Sequence, residues 1–138
     1  MDFPHITTIE VAFRDLDVLG HVNNAVYLSY LETARINYMM ALLHVRDIAE
    51  LPLILAEVTI AYKSPALFGE MLHVGTGVAR MGNKSFDVVH RIETGNGRFI
   101  ASAKTILVMY DYATQTTVSI PDHFRNRVTE LQGMWQPA

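Results

Sequence analysis

Ten consecutive residues near the start of this 138-residue chain concentrate its reactive side chains: Asp15-Leu16-Asp17-Val18-Leu19-Gly20-His21-Val22-Asn23-Asn24. A carboxylate such as Asp17 can serve as a general base or a nucleophile. His21 can orient water or hydrogen-bond that carboxylate. Asn23 and Asn24 precede the longest helical pattern in the sequence, Ala25 to Leu43, so either can cap it. Free amides at a helix start, with the positive end of its dipole, stabilise a developing oxyanion. Polar groups at the mouth of an apolar helix are where chemistry is expected.

The elements that must position these groups follow from periodicity. Ile9, Val11 and Phe13 alternate with Glu10 and Ala12, predicting a strand that leads into the polar run. Along the helix, Tyr27, Leu31, Ala34, Tyr38, Ala41 and Leu42 share one face. Val26, Ile36, Met40 and Leu43 lie opposite, so the helix is apolar on most sides and should be buried. Glu32 and Arg35 are spaced to pair at its edge. Ile54, Ala56, Val58, Ile60 and Tyr62 predict one face of a second strand, with Glu57, Thr59 and Lys63 on the other.

Ser64-Pro65 ends that strand and Gly69 marks a turn before a third, Met71 to Met81. Gly82-Asn83 is a two-residue hairpin signal. Phe86, Val88, His90 and Ile92 then alternate with Ser85, Asp87, Val89 and Arg91, and His90 reads as a core or interface histidine. After Gly95-Asn96-Gly97 a long strand runs from Arg98 to Tyr110, with Ala101 and Ala103 leaving room for a helix to approach. A short strand over Thr116 to Ile120 and a terminal helix opened by Pro121-Asp122, with Phe124, Val128 and Leu131 on one face, complete the chain. Tight turns imply antiparallel pairing. The fold class is therefore α+β: one long central helix wrapped by a curled antiparallel sheet of about five strands, in a single domain over 1–138.

Composition removes several function classes. Half the residues are hydrophobic, 18% are charged and the net charge is -3, which leaves no basic footprint for nucleic acid. With no cysteine there is no disulfide, zinc-thiolate site or thiol nucleophile. The first residues show no secretory pattern and no apolar run reaches spanning length, so a cytoplasmic protein without membrane insertion is expected. The six histidines are scattered without ligand spacing, so no metal is expected. Gly77 to Ser85 nearly matches a phosphate loop but reads as strand, hairpin, strand, and no Gly-x-Ser-x-Gly elbow occurs.

The run Asp15-Leu16-Asp17-x-x-Gly20-His21-Val22-Asn23-Asn24-x-x-Tyr27-Leu28-x-x-Leu31-Glu32-x-x-Arg35 resembles the signature of hotdog-fold acyl-CoA thioesterases of the 4-hydroxybenzoyl-CoA thioesterase family. Tyr62-Lys63-Ser64-Pro65-Ala66-x-x-Gly69-Glu70 and Ile120-Pro121 extend the likeness over nearly the whole chain. The resemblance implies a hotdog fold, no cofactor, and a homodimer or homotetramer with active sites between protomers. It implies acyl-CoA, or acyl-carrier protein, as substrate carrier. It carries the catalytic carboxylate onto Asp17, leaves Asp15 structural, and sets His21, Asn23 and Asn24 beside the reaction. Plant acyl-carrier-protein thioesterases place an asparagine two residues after the aspartate, where this chain has Leu19.

Tyr27 and Glu57 are candidates to touch substrate, and Lys63 and Lys84, with Arg80 and Arg91, are the cations available for the nucleotide. A hotdog hydratase or dehydratase and a non-catalytic acyl-thioester binding module are the competing functions.

Overall fold

The computed structural model describes residues 1–137. Its elements are β1 (His5–Glu10), α1 (Val26–Leu43), β2 (Leu53–Tyr62), β3 (Met71–Met81), β4 (Ser85–Thr94), β5 (Phe99–Asp111), β6 (Thr116–Thr117) and α2 (Asp122–Gln132). The strands form one antiparallel six-stranded sheet in the order β1-β3-β4-β5-β2, with the two-residue β6 beside β5. Five of these are the long strands of the sheet, and the small sixth lies within the short strand expected over Thr116 to Ile120. The long helix expected from periodicity is one of two that pack on the sheet.

Several boundaries moved for identifiable reasons. The first strand spans His5–Glu10 rather than Ile9–Phe13, because the chain turns through a single 3-10 turn at Phe13–Asp15. The Asp15 carboxylate closes that turn by accepting the Ala12 N–H at 3.0 Å, and Phe13 is left exposed. The β3–β4 connection is wider than two residues. Met81 pairs with Phe86, Gly82 N–H donates to Ser85 O, and neither Gly82 nor Asn83 has the positive φ of a two-residue hairpin. The strand expected over Thr116 to Ile120 shrinks to Thr116–Thr117.

The face assigned to β2 is also broken. A bulge between Leu55 and Glu57 shifts its register against β5, so Leu53 and Leu55 pair with Met109 and Leu107 while Val58 pairs with Thr105. Strand side chains alternate with period two, so one extra residue at Ala56 puts Ile54 on the face opposite Val58.

Helix α1 buries Tyr27, Leu31, Ala34, Tyr38 and Leu42 as the periodicity predicts, but Ala41 is exposed and Tyr30, Arg35 and Met39 turn inward. His44, in the left-handed conformation, ends it with its N–H on Met40 O. The upper core joins Tyr30, Leu31 and Ala34 to Leu72, Val74, Ile92 and Ala101. The lower core joins Tyr38, Met39 and Leu42 to Phe86, Val88, Leu107 and Phe124. In α2, Phe124 and Val128 are buried while Leu131 is half exposed.

On the other side of the sheet the chain ends cross β3. A Cβ at Gly75 would stand 2.6 Å from the Phe3 ring, and one at Gly77 would stand 2.5 Å from the Trp135 ring. The absence of a side chain at these two glycines therefore lets the termini lie close against the strand.

Candidate active site

The polar run folds into a narrow loop clamped at its base. Leu16 bridges Val22, Asp17 N–H donates to His21 O at 2.8 Å, and Gly20 N–H donates to Asp17 O at 3.1 Å. Gly20 turns the chain back with φ +79, a conformation that favours glycine. Val18 and Leu19 at the tip are exposed, so in the single chain this loop stands open on one side.

A second loop, 64–70, holds the first in place. Val22 N–H donates to Ala66 O, His21 bridges Leu67, Val11 N–H donates to Glu70 O, and Gly69 N–H donates to Val11 O. That loop is anchored by Arg98, whose guanidinium meets both Glu70 oxygens at 2.6 Å and Pro65 O at 2.9 Å. Glu70 also accepts the Leu67 N–H at 2.7 Å. Such a charged, two-oxygen contact fixes geometry as well as supplying energy.

The two aspartates have different surroundings. One oxygen of Asp15, Oδ2, accepts from Ala12 N–H and from the Tyr30 hydroxyl at 2.7 Å. Burial, then that contact with Asp15, pushes the Tyr30 hydroxyl well above its usual range, so it stays protonated and donates. Asp17 is half-buried, and its Oδ1 accepts the Leu19 N–H at 2.9 Å. Among the described residues its Oδ2 has no hydrogen-bond partner, and neither has the His21 ring.

The helix start beside the loop is not capped by a side chain. Ala25 occupies the cap position, and the Asn23 side chain accepts instead from Ala25 N–H at 2.8 Å. Asn23 O takes the Val26 N–H, while the amides of Asn24 and Tyr27 donate to no backbone acceptor among the described residues. The Asn24 side chain is exposed, and its carbonyl accepts from the Tyr62 hydroxyl at 2.8 Å.

The remaining candidates scatter. Tyr27 is 2% exposed, and its hydroxyl accepts from Ala66 N–H, so it packs under the loop and presents no free edge. Burial is the larger influence on that hydroxyl and raises its pKa. Lys63 follows Tyr62 and lies at this end of the sheet. Glu57 is exposed on β2, on the face away from α1.

Lys84 lies in the β3–β4 turn, with its Nζ 3.4 Å from Thr117 Oγ1. The length of β3 separates it from the Asp17 loop, roughly 30 Å at the rise of a strand. Arg80 pairs with Asp87, and Arg91 lies over the Phe99 ring. Among the described residues no group of three or more His, Asp or Glu side chains is arranged to hold a metal ion, and no helix is long and apolar enough to cross a membrane.

Sequence reasoning missed Arg98 and Tyr30, which brace the site. Glu70 belongs to the Tyr62 to Glu70 stretch of the family resemblance, but nothing in the sequence joins it to Arg98.

Known proteins fit this geometry. The family model for the thioesterase-like superfamily matches residues 11–128. The long-chain acyl-CoA thioesterase FadM of Escherichia coli strain K12 is 27% identical over 136 residues, covering 91% of this chain and 97% of that protein. A thioesterase from Thermus thermophilus, solved with coenzyme A and Zn, superposes with a TM-score of 0.87 at 34% identity, covering 99% of this chain and 98% of the other. A 1,4-dihydroxy-2-naphthoyl-CoA thioesterase from Synechocystis shares the fold, with a TM-score of 0.80 at 19% identity over 92% of this chain and 96% of its own.

Proposed function

The chain belongs to the thioesterase-like superfamily, and on that premise we propose that it hydrolyses acyl-CoA thioesters at the Asp17 loop. The carrying observation is an aspartate with one oxygen held and the other unengaged, beside a helix start with free amides. In this reading Asp17 Oδ2 takes a proton from water as the oxygen adds to the thioester carbonyl carbon. The Asn24 and Tyr27 amides receive the oxyanion. The C–S bond then breaks, and coenzyme A leaves as a thiolate that collects the proton. Direct attack by Oδ2 would instead form an acyl anhydride, which water opens. If water opens that anhydride at the Asp17 carbonyl, one turnover in oxygen-labelled water leaves label on Asp17, which the general-base route never does.

His21 and Asn23 support the loop in this scheme. Lys63 is a cation at this end of the sheet for the coenzyme's phosphates. Lys84 reaches the site only from a second copy.

A second copy is itself part of the reading. β2 is a long edge strand with Ile54, Leu55 and Tyr62 substantially exposed, and such edges are normally covered. A homodimer formed along β2 would cover it, and a homotetramer could follow from pairing two dimers. Sedimentation at micromolar concentration decides this: a monomer there removes the shared-edge arrangement.

A panel of acyl-CoAs with a thiol-reactive dye tests the activity. Asp17→Asn should lower kcat/KM by at least about 10² while circular dichroism stays unchanged, because it removes the base. Turnover near the native rate in that variant removes Asp17 from the role. A change in enoyl absorbance without thiol release would mark a hydratase. Tight binding with neither signal would mark a binding module.

A further inference from the structure

Arg35 sits in an unusual place for a guanidinium. It is 9% exposed, on the inward side of α1. Among the described residues none of its five N–H donors has a hydrogen-bond acceptor. Its nearest carboxylate, Glu32, is 3.8 Å away and 62% exposed, turned to solvent. A buried charge without a partner is costly, and structures normally supply one.

The side chain lines a cleft of about 360 Å³ between α1 and β2, walled by Ile36, Met39, Leu53, Leu55 and Leu107. Tyr112 also lines the cleft, with its hydroxyl donated to Leu53 O, and apart from Arg35 the rest of the wall is apolar. The interior behind it repeats the shortage of partners. His90 Nδ1 lies 3.1 Å from Thr76 Oγ1, but His90 Nε2 and Thr105 Oγ1 are buried with nothing to bond. Burial, then the positive charge of Arg35, keeps the His90 imidazole neutral.

We propose that this cleft receives the far end of the acyl group, and that Arg35 recognises a carboxylate there, selecting dicarboxylic acyl-CoAs over plain fatty acyl-CoAs. The inference rests on the thioesterase reading for the identity of the head group. The length is compatible: ten residues of α1 separate its cap from Arg35, about 15 Å at the rise of a helix, near the reach of an extended dodecanoyl chain. The apolar walls suit methylenes. A carboxylate meets the guanidinium fork bidentately and supplies the missing charge. Glu32 points to water, where its repulsion is screened.

The test is calorimetric and needs no turnover. The dodecyl thioether of coenzyme A, and the same thioether ending in a carboxylate, are titrated into the native protein and into Arg35→Met. The native protein should bind the carboxylate-ended compound more tightly than the plain one, and equal or weaker binding overturns the proposal. Arg35→Met should weaken the carboxylate-ended compound by about 10- to 100-fold, with less than about a threefold change for the plain one. Equal weakening of both compounds, or of neither, overturns the proposal, as does a native protein that binds neither.

If Arg35→Met does not fold, Arg35→Lys keeps the charge without the fork. It should then lose a smaller share of the same preference, and an unchanged preference is equally fatal. Because both probes resist hydrolysis, absent thiol release from true substrates counts against the activity alone.

Discussion

At the carboxyl end of α1 three of the last four carbonyls are occupied. Met40 O accepts from the N–H groups of His44 and Val45, and Arg127 of α2 reaches Ala41 O at 3.2 Å and Leu42 O at 3.4 Å. Nearby, Gln132 joins three partners: its Oε1 accepts from the Tyr38 hydroxyl and Val78 N–H, and its Nε2 donates to Val78 O. At the amino end, two amides and one carboxylate oxygen are left without partners among the described residues, although Asn23 and Asn24 are at hand. An unsatisfied helix end costs stability unless water or a ligand completes it. One end of the helix is therefore finished for stability, and the other is left open, as the proposed reaction requires.

Breaking the finished end should have the largest effect on folding. Phe124 is fully buried with its ring 4.9 Å from that of Phe86, so Phe124→Ala should cost about 3–5 kcal/mol in denaturant unfolding. A loss under about 1 kcal/mol would mean that α2 does not carry the lower core.

Tyr30→Phe acts at the open end. Removing the donor to Asp15 should cost about 1.5–3 kcal/mol and lower kcat more than it raises KM, because Asp15 shapes the turn that leads to Asp17. An unchanged kcat would separate the two aspartates functionally.

His90 lies between the two ends and gives a pH signature. Burial, then Arg35, lowers its pKa from 6.5 to about 3. Between those values the unfolded chain binds a proton that the folded chain refuses, so stability is lost as pH falls below 6.5. By about pH 5 the loss should be about 2 kcal/mol, and His90→Phe should flatten that part of the curve. A slope identical in the variant would assign the acid sensitivity elsewhere.

The smallest effect is Asn23→Ala. It frees Ala25 N–H and should cost about 1 kcal/mol, with thermal unfolding as the measure. If activity fell with it by about 10²-fold or more, Asn23 would belong to the chemistry rather than the turn.

What could be read in advance divides along physical lines. β3 matched its predicted bounds, and β4 and α2 lay close to theirs, because alternation and a Pro-Asp start are local signals. The inward turn of Arg35 was not visible, since spacing places Glu32 and Arg35 side by side but not the direction of the core. The bulge at Ala56 was equally hidden, because only the partner strand shows that a register has shifted. The reason for glycine at 75 and 77 was hidden too, because only the folded chain brings Phe3 and Trp135 across them.

The order of residues settled the chemistry on offer and the type of most elements, because side-chain identity and period are properties of a short window. Folding in three dimensions settled which of those groups were used up. Asp15 and Asp17 are two residues apart and alike as symbols. Tyr30, brought across by the turn of α1, occupies one of them, while the other keeps an oxygen free.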